Sequence, residues 1–522
     1  MYKIDWDPEN NLLILENENA FLGNEYRPVF SAELKNLGFD SFFSFDESDA
    51  APVLWAVRNH YYYRGRQIAE TIDNGCLTLP SIRILDDSIL GCHLPLIDLD
   101  LWFRKNRRLM DHLVQDTMLR IYGVYMDWKD RVDFIHVAYS GGKDSMVLLD
   151  LVKRIVPRDR FFVTWSDTGM ELRASVETVE KERARCAEQG IRFFVTRTLL
   201  DPLRTWEQIG PPSFENRWCC SVHKSVPQTI QLKEYLGKAD AKSLVFLGNR
   251  ADESCNRKNN ALVDVGVKHK SQVNANGIIN WSSLEVYLYL MMNGIELNPA
   301  YREGFMRIGC KLCPRASSLY LGFYYAVWRE ELEPYYNVVR AAYRDSFDSE
   351  EALERYINEG DWRYRKGSDN TKYHMDYREY ARDGSIHLEI KNPATDWKVW
   401  IRTLGILRSA EDTRALPDPT RYVLRRGGKE YVFSVGEDGG VLDISLPATW
   451  EESVTDLFKK VFRKAAACIG CRSCEVNCPH GHLRFSDGHP VIDDECLHCA
   501  ECHNSLHSCY AFDSWVRADQ VL

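Results

Sequence analysis

Cysteine is concentrated at one end of this chain. The sequence has 522 residues and 16 cysteines, and eight of the cysteines lie within residues 468–522. They form two runs of closely spaced thiols: Cys468, Cys471, Cys474 and Cys478, then Cys496, Cys499, Cys502 and Cys509. Where thiols stay reduced, cysteines at such short spacings indicate metal ligands rather than disulfide partners.

The composition indicates a reducing, aqueous compartment. Hydrophobic residues make up 45% and charged residues 27% of the chain, as in ordinary globular proteins. No stretch approaches the roughly 18 consecutive apolar residues of a membrane span, and residues 1–20 lack the regions of a secretory signal. We therefore expect a cytoplasmic protein with reduced thiols and no membrane partner. The net charge of −10 argues against tight non-specific binding of nucleic acid, which stays a candidate partner.

The two cysteine runs resemble those of bacterial two-[4Fe–4S] ferredoxins. The first run has the spacing C-x2-C-x2-C-x3-C and is followed by Pro479. In that fold the fourth cysteine of each run binds the other cluster. The resemblance implies one cluster on Cys468, Cys471, Cys474 and Cys509, and another on Cys478, Cys496, Cys499 and Cys502. Zinc is the alternative, and the second run departs from the pattern because its last gap is six residues and no proline follows.

Residues 131–315 alternate short apolar runs with helical patterns. Strands are predicted at 134–139, 161–165, 191–195 and 244–247, and helices at 145–156 and 171–189. Strand–helix–strand order at these lengths predicts an α/β fold with a doubly wound parallel sheet.

A polar segment, Ser140-Gly141-Gly142-Lys143-Asp144-Ser145, joins the first of these strands to the first helix. Its glycines allow a tight turn whose amides converge on an anion, and the helix adds its N-terminal dipole. Lys143 can neutralise phosphate charge, the serines can donate hydroxyl groups, and Asp144 suits a metal ion beside phosphate. The segment is not a Walker loop, because no GxxxxGK[ST] is present. We interpret it as a phosphate loop; the alternative is a glycine-rich turn without a ligand.

This segment resembles the PP-loop of the ATP pyrophosphatases, and in particular that of the phosphoadenosine phosphosulfate (PAPS) reductase family. Further motifs follow in the order of that family: Asp167-Thr168-Gly169-Met170-Glu171; Arg217-Trp218-Cys219-Cys220 with Lys224 and Pro227; Gly248-Asn249-Arg250-Ala251-Asp252-Glu253-Ser254 with Arg257; and Trp281 with Glu285, Asn298-Pro299, Tyr301 and Arg307-Ile308-Gly309-Cys310. The resemblance covers about residues 131–315 and implies an adenine nucleotide alpha-hydrolase-like domain.

The resemblance also implies where a nucleotide binds. Its phosphates would lie on residues 140–145, and its adenine and ribose near 165–169 and 247–250, at the carboxyl ends of the strands. The implied nucleotide-binding residues are Ser140, Gly141, Gly142, Lys143, Asp144, Ser145, Asp167, Thr168, Gly169, Gly248, Arg250 and Arg257. The implied catalytic residues are Lys143, Asp144, Arg250, Asp252 and Glu253. The charged group at 250–257 would bind magnesium-phosphate or a second substrate; a surface ion-pair network is the alternative.

A second set of four thiols lies within this region. Cys219 and Cys220 are adjacent, and Cys310 and Cys313 follow about 90 residues later. Assimilatory adenylyl-sulfate reductases carry the same CC…CxxC arrangement and hold a [4Fe–4S] cluster with it, so the resemblance implies a third cluster here. Zinc and free thiols are the alternatives. The isolated Cys76, Cys92, Cys186 and Cys255 are predicted to be buried thiols.

Three functions fit these features. The first is ATP-dependent adenylylation with release of pyrophosphate, coupled to iron–sulfur-assisted sulfur transfer or reduction, with sulfur modification of a nucleic acid as one form of it. Its partners would be a sulfur donor, an electron-donor protein or a nucleic acid. The second is reduction of adenylyl sulfate or PAPS, fed by the chain's own ferredoxin domain. The reductases' Glu-Cys-Gly-Leu-His motif is matched only by Glu495-Cys496-Leu497-His498, which lacks the glycine. The third is a nucleotide- or redox-sensing subunit of a larger complex.

These patterns predict five domains: an N-terminal module of unassigned role (1–130), the PP-loop domain (131–315), a helical extension (316–395), a small α+β module (396–460) and a two-[4Fe–4S] ferredoxin domain (461–522). The α+β module is indicated by Gly-Gly and Asp-Gly-Gly turns between short strands.

Overall fold

The computed structural model describes residues 1–20, 24–253, 257, 259–265, 272–369, 371–409, 420–504 and 509–522. The chain divides into two compact units. The first unit contains residues 1–196 and 241–332, and the second contains residues 197–240 and 333–522. Each unit therefore combines two separate stretches of the sequence.

The first unit begins with nine short strands. They are β1 (Tyr2–Asp7), β2 (Leu12–Asn19), β3 (Tyr26–Val29), β4 (Ser44–Phe45), β5 (Leu54–Val57), β6 (His60–Tyr63), β7 (Arg66–Ile72), β8 (Ser81–Ile84) and β9 (His93–Leu94). β1 and β2 form a hairpin, and β3, β5, β6, β7 and β8 form an antiparallel sheet in that order. A short helix, Ser31–Asn36, follows β3. The long helix Leu99–Trp128 follows β9, and the side chain of Asp98 caps its first turn.

A six-stranded sheet forms the rest of the first unit. Its strands are β10 (Phe134–Ala138), β11 (Phe162–Asp167), β12 (Arg192–Arg197), β13 (Ser243–Phe246), β14 (Val263–Val265) and β15 (Gln272–Ala275), in the order β12-β11-β10-β13-β15-β14. β10 pairs in parallel with β11 and β13, and β13 pairs in parallel with β15, whereas β14 is an antiparallel edge strand. The helices Lys143–Ile155, Arg173–Glu188 and Ser283–Met292 connect or follow these strands. The predicted α/β class with a parallel sheet is confirmed.

One hydrophobic core joins the β1–β2 hairpin and the helix Leu99–Trp128 to the six-stranded sheet. Leu13, Trp102 and Ile121 belong to the same buried cluster as Val147 and Leu284. The indole of Trp102 donates a hydrogen bond to the carbonyl of Leu13 at 2.8 Å, which joins helix Leu99–Trp128 to β2. Packing therefore continues across the predicted boundary at residue 130.

The second unit combines helices with an antiparallel sheet. Its helices are Pro202–Ile209, Trp218–Cys220, Val226–Leu236, Glu350–Glu359, Trp397–Ile401, Glu452–Ala467, Ser473–Val476 and Tyr510–Trp515, with a π-helical turn at Ser221–Ser225. The helix Ser318–Tyr343, which is interrupted at Trp328, runs from the first unit into the second. The sheet consists of β16 (Tyr377–Arg382), β17 (Ser385–Lys391), β18 (Ile406–Ser409), β19 (Arg421–Arg426), β20 (Lys429–Asp438) and β21 (Val441–Pro447); β22 (Leu483–Ser486) and β23 (His489–Ile492) form a separate hairpin.

The prediction of a helical segment over 316–395 is wrong in its last part. β16 and β17 lie there and pair antiparallel, and β17 then pairs with β21 of the small α+β module. The turn between them consists of Asp383 and Gly384, both with positive φ (49° and 73°). An Asp-Gly pair in this conformation is typical of a two-residue hairpin, and the alternating pattern of the flanking residues was the available signal.

The α+β sheet and the cysteine-rich segment share one core. The helix Glu452–Ala467 buries Phe458 and Phe462 against the sheet, and Cys478 and Cys502 belong to the same cluster. Packing therefore also continues across the predicted boundary at residue 460. Of the isolated cysteines, Cys76 and Cys186 are buried as predicted, whereas Cys92 is exposed and that prediction is wrong. Cys255 lies outside the described residues.

Candidate functional site

The phosphate-loop segment forms a compact turn between β10 and the helix Lys143–Ile155. The hydroxyl of Ser145 donates to the carbonyl of Gly142 at 2.8 Å, and the hydroxyl groups of Ser140 and Ser145 are hydrogen-bonded at 3.2 Å. Gly141 has a φ of +72°, the left-handed region that favours glycine. The two serines therefore hold the turn closed at the start of the helix, where backbone N–H groups are available to an anion.

Two neighbouring segments contact this turn. The backbone N–H of Lys143 donates to the hydroxyl of Tyr301 at 3.0 Å, and the amide of Asn298 donates to the carbonyl of Gly141 at 3.2 Å. On the other side, Gly248, which follows β13, lies so close to this turn that a Cβ there would be 2.9 Å from backbone atoms of Asp144. The structure thus brings together the predicted 140–145, Gly248 and Asn298–Tyr301 motifs.

A network of four charged side chains, two of them buried and two partly exposed, lies at this helix start. The ammonium of Lys143 donates to one carboxylate oxygen of Asp144 at 2.9 Å, and Nε of Arg250 donates to the other at 2.6 Å. The remaining guanidinium nitrogens of Arg250 contact both carboxylate oxygens of Glu25, at 2.7 and 3.0 Å. Arg250 is fully buried and Lys143 nearly so. Two cations and two carboxylates therefore balance each other.

The pKa values follow from burial and from these partners. Burial alone raises the pKa of Asp144, but Arg250 and Lys143 outweigh it and bring the pKa down to about 2. The pKa of Glu25 is likewise lowered, because Arg250 outweighs the effect of burial. Burial lowers the pKa of Lys143, against the opposing effect of Asp144. Both carboxyl groups are therefore ionised at neutral pH.

Glu25 was not predicted from the sequence. It lies 225 residues before its partner Arg250, in a turn where Asn24 and Glu25 both have positive φ values near 50°. No motif surrounds it in the sequence. Only the tertiary fold, which packs the N-terminal strands against the sheet, brings this carboxylate to the phosphate loop.

The Asp167–Glu171 segment follows β11 as predicted. The backbone N–H of Gly169 donates to the carboxylate of Asp167 at 3.0 Å, and the hydroxyl of Thr168 donates to the carboxylate of Glu171 at 2.8 Å. Glu171 also forms an isolated antiparallel bridge with Cys310. These contacts join the predicted ribose-side segment to the segment that carries the CxxC pair.

The charged residues at 250–257 separate into two groups. Arg250 belongs to the phosphate loop, whereas Glu253 forms an ion pair with Arg257 and accepts a hydrogen bond from Arg307 on its carbonyl. Burial and the charge of Arg307 lower the pKa of Arg257. The backbone N–H of Ala251 donates to the carbonyl of Ile279, and Asp252 lies in the adjoining helical turn. Ser254 lies outside the described residues.

The four thiols of the CC…CxxC set belong to different units. Cys219 is buried and Cys220 is exposed, both in the second unit, at the short helix Trp218–Cys220. Cys310 and Cys313 are half-buried in the first unit. The shared cluster on these residues stays a prediction.

The eight C-terminal thiols fall into two neighbouring groups. Burial raises the pKa of Cys509 well above its usual value, and the nearby Cys471, Cys468 and Cys474 add to the shift. Burial raises the pKa of Cys496 in the same way, with Cys478 and Cys499 as its neighbours. Cys502 has neighbours in both groups, Cys474 and Cys478. The ligand sets that the ferredoxin resemblance implies stay a prediction.

The donor chemistry of the eight thiols is compatible with iron–sulfur clusters. Four thiols in each set is the donor number of a [4Fe–4S] cluster. In the part of the chain that the structure describes, no three His, Cys, Asp or Glu side chains converge as a ready metal site. His503 is buried with its Nε2 2.6 Å from the hydroxyl of Thr403, and Nδ1 of His498 lies 2.6 Å from the carbonyl of Arg402.

Lys464 links the two thiol groups. It is 1% exposed, and its ammonium donates to Sγ of Cys474 at 2.9 Å and to the carbonyl of Cys502 at 2.8 Å. Burial alone lowers the pKa of Lys464, but the neighbouring thiols outweigh it and the pKa is raised. A charged lysine therefore lies between the two sets of predicted ligands.

The helix Val226–Leu236, which follows Cys219 and Cys220, packs on the first cysteine run. Val226 and Ile230 form a small buried cluster with Val476, and the ammonium of Lys233 donates to the carbonyl of Val476 at 2.9 Å. The hydroxyl of Tyr510 is also hydrogen-bonded to Ser221. The adjacent cysteines and the first ferredoxin-like run thus belong to one packed body.

Comparison with known proteins supports the interpretation of the central region. Residues 135–316 match the phosphoadenosine phosphosulfate reductase domain. This span includes β10–β15 and every nucleotide-binding residue predicted from the sequence. Within residues 135–316 the chain is therefore similar to PAPS reductases.

Individual relatives extend the similarity. An uncharacterized protein of Methanocaldococcus jannaschii is 26% identical over 368 residues, which are 69% of this chain and 66% of that protein. Adenosine 5′-phosphosulfate reductase 1 of Bacillus subtilis is 28% identical over 183 residues, 35% of this chain and 73% of the enzyme. The crystal structure of a PAPS reductase from Candida auris is 17% identical, covers 38% of this chain and 93% of its own, and has a TM-score of 0.29.

The matches with curated relatives cover only part of each chain. The first two curated relatives, both uncharacterized proteins of M. jannaschii, are spanned over less than two thirds of their own length, 66% and 60%. The reductase matches cover about 35% of this chain. Among the described helices, none is both long and apolar enough to cross a membrane.

Proposed function

We propose that this chain is an iron–sulfur enzyme that binds ATP at residues 140–145 and transfers its adenylyl group with release of pyrophosphate. The observation that carries the proposal is the charged network of Lys143, Asp144, Arg250 and Glu25 at the helix start. The match of residues 135–316 to the PAPS reductase domain supports nucleotide binding at this place.

The charge balance of the network supports a magnesium-bound nucleotide. Lys143 and Arg250 are already neutralised by Asp144 and Glu25, so a bare polyphosphate would add only uncompensated negative charge. Mg²⁺ brings two positive charges and prefers carboxylate and phosphate oxygens. Asp144 and Glu25 are ionised carboxylates that fit this cation, and ATP presents the diphosphate that chelates it.

The residues of the loop would then act by charge and orientation. The N-terminus of helix Lys143–Ile155 would favour an anion bound at the loop. With Mg²⁺ compensating the charge of Asp144 and Glu25, Lys143 and Arg250 would stabilise the negative charge that develops on a leaving pyrophosphate. Asp167, Thr168 and Gly169, at the end of β11, are the proposed contacts for ribose and adenine.

The C-terminal thiols are proposed to hold two [4Fe–4S] clusters. The first set is Cys468, Cys471, Cys474 and Cys509, and the second is Cys478, Cys496, Cys499 and Cys502. When bound, such clusters supply single electrons. The packing of helix Val226–Leu236 on the first run supports redox chemistry near Cys219 and Cys220, where a third cluster with Cys310 and Cys313 is proposed.

Sulfonucleotide reduction is the second candidate function. It is favoured by the similarity to the adenosine 5′-phosphosulfate reductases of Bacillus subtilis and Halalkalibacterium halodurans. Such a reaction would use the same nucleotide site and draw electrons from the same cysteine-rich segment. The imperfect match at Glu495–His498 counts against it. A nucleotide- or redox-sensing role is the third, and we propose a cytoplasmic location for all three.

One experiment separates these functions. The anaerobic, iron-loaded chain is incubated with labelled ATP and Mg²⁺, and separately with adenylyl sulfate and a reductant. Adenylyl transfer predicts pyrophosphate release or ATP–pyrophosphate exchange that K143M abolishes. K181M is the matched control, because Lys181 is an exposed lysine paired with Glu296 outside the loop.

Other outcomes decide against the proposal. Sulfite without pyrophosphate release would identify the chain as a sulfonucleotide reductase. Tight ATP binding with neither product would favour the sensing role. Iron and sulfide analysis tests the clusters: about twelve of each per chain indicates three clusters, and about eight of each removes the cluster on Cys219, Cys220, Cys310 and Cys313.

A further inference from the structure

Lys464 is a buried cation whose closest polar partners are a predicted cluster ligand and a carbonyl. Its Nζ lies 2.9 Å from Sγ of Cys474 and 2.8 Å from the carbonyl oxygen of Cys502, and the residue is 1% exposed. In the part of the chain that the structure describes, Lys464 forms no ion pair with Asp or Glu. Its titratable neighbours are the thiols of Cys474, Cys502 and Cys509. A buried ammonium is costly without negative charge nearby, so the bound thiolates are its counterpart.

The surroundings hold this ammonium in place. Lys464 belongs to the helix Glu452–Ala467, which packs on the α+β sheet through Phe458 and Phe462. The ring of Trp400 lies 5.4 Å from the ammonium. The side chain is therefore held by the helix that leads directly into the first cysteine run, since Cys468 is the C-cap residue of that helix.

We propose that Lys464 raises the reduction potential of the cluster bound by Cys468, Cys471, Cys474 and Cys509. This inference rests on the iron–sulfur part of the proposed function. A hydrogen bond to a ligand sulfur and a nearby positive charge both stabilise the electron that a cluster gains on reduction. The low dielectric of a buried site strengthens both effects.

Lys464 contacts the two ligand sets differently, and this difference predicts which of the two clusters has the higher reduction potential. The ammonium reaches a sulfur of the first ligand set but only a backbone carbonyl of the second. The first set should therefore have the higher potential of the two.

The test is a redox titration of the anaerobic full-length chain, followed by electron paramagnetic resonance. We expect K464M to lower the midpoint potential of one cluster. At the wild-type midpoint, its ratio of reduced to oxidised form should fall at least tenfold, which corresponds to about 59 mV for one electron. K464R keeps the charge and should restore most of the wild-type value.

Lys460 supplies the matched control. It lies one turn earlier on the same helix and pairs with Asp456 at 2.9 Å, so K460M removes the same charge without removing a contact to sulfur. If K464M does not retain its clusters, K464Q replaces it in the test, because glutamine keeps a neutral hydrogen-bond donor. The proposal then requires the midpoint potential of the cluster in K464Q to be lower than in K464R.

Different results would contradict the role of Lys464 and the presence of the clusters. Equal potentials for K464M or K464Q and the wild type, at full iron content, would overturn the role of Lys464 alone. A wild-type chain that binds no iron under anaerobic reconstitution would overturn the iron–sulfur part of the proposed function as well.

Discussion

A methyl group added at Gly248 tests whether the phosphate loop depends on close approach of two backbones. Gly248 follows β13 and faces the first turn of the helix Lys143–Ile155. A Cβ there would lie 2.9 Å from the carbonyl carbon and oxygen of Asp144 and from the backbone nitrogen of Ser145. These are backbone atoms, so no flexible side chain can move aside.

The expected cost follows from this overlap. Forcing an extra methyl group into a packed site typically costs about 1–3 kcal/mol. If the loop shifts to relieve the overlap, G248A loses that energy in nucleotide binding. Since about 1.4 kcal/mol corresponds to a tenfold change in affinity, the dissociation constant for Mg–ATP should rise roughly 5- to 150-fold. If the strand end shifts instead, the same cost appears in the free energy of unfolding.

The assay measures both quantities. Equilibrium dialysis with labelled ATP gives the affinity, and urea unfolding gives the stability. G123A is the control, because Gly123 lies on the exposed face of helix Leu99–Trp128 with no atom within 4 Å of the added Cβ; that variant should gain about 0.5–1 kcal/mol. A G248A protein that matches the wild type in both measurements would refute the reasoning.

Three further predictions concern stability, each measured by urea unfolding. Burial lowers the pKa of His136 to about 3, so the unfolded chain takes up a proton at this residue first as the pH falls. Through His136, the free energy of unfolding of the wild type should fall by about 1.4 kcal/mol per pH unit between about pH 6 and 4, and H136Q should show a flatter profile. R27M should cost about 3–5 kcal/mol, because it leaves Glu33, now bound at 2.5 and 2.6 Å, buried without its partner; a loss below 1 kcal/mol would contradict this. G384A should destabilise the second unit by about 1–2 kcal/mol through backbone conformation alone, since Gly384 has a φ of +73° and no atom near the added Cβ; an unchanged unfolding midpoint would exclude it.

Local patterns predicted the central sheet well. The strand expected at 134–139 is Phe134–Ala138, and the helix expected at 145–156 is Lys143–Ile155. The helix begins two residues early because Gly142, rather than a capping side chain, occupies its N-cap position. Apolar runs and glycine turns are short-range signals, so they can be read without knowledge of the tertiary fold.

The residues that were missed depend on contacts between distant parts of the sequence. Glu25 reaches Arg250 only because the N-terminal strands share a core with the sheet. Lys464 was not singled out, because a lysine on an amphipathic helix ordinarily faces solvent. Residues 385–391 pair with β21, 50 or more residues later, and this partner is not visible in the local pattern.

The split of the chain into two interleaved units has a consequence for its synthesis. Residues 197–240 leave the ribosome before the rest of the second unit exists, and the first cysteine run follows more than 200 residues later. At 5–20 residues per second, this delay is roughly 10–50 s. During that time Val226 and Ile230 lack Val476, the partner that buries them. The nascent chain must therefore carry the apolar side chains of Val226 and Ile230 without Val476 until translation is almost finished, and a fragment that ends at residue 332 would keep them so.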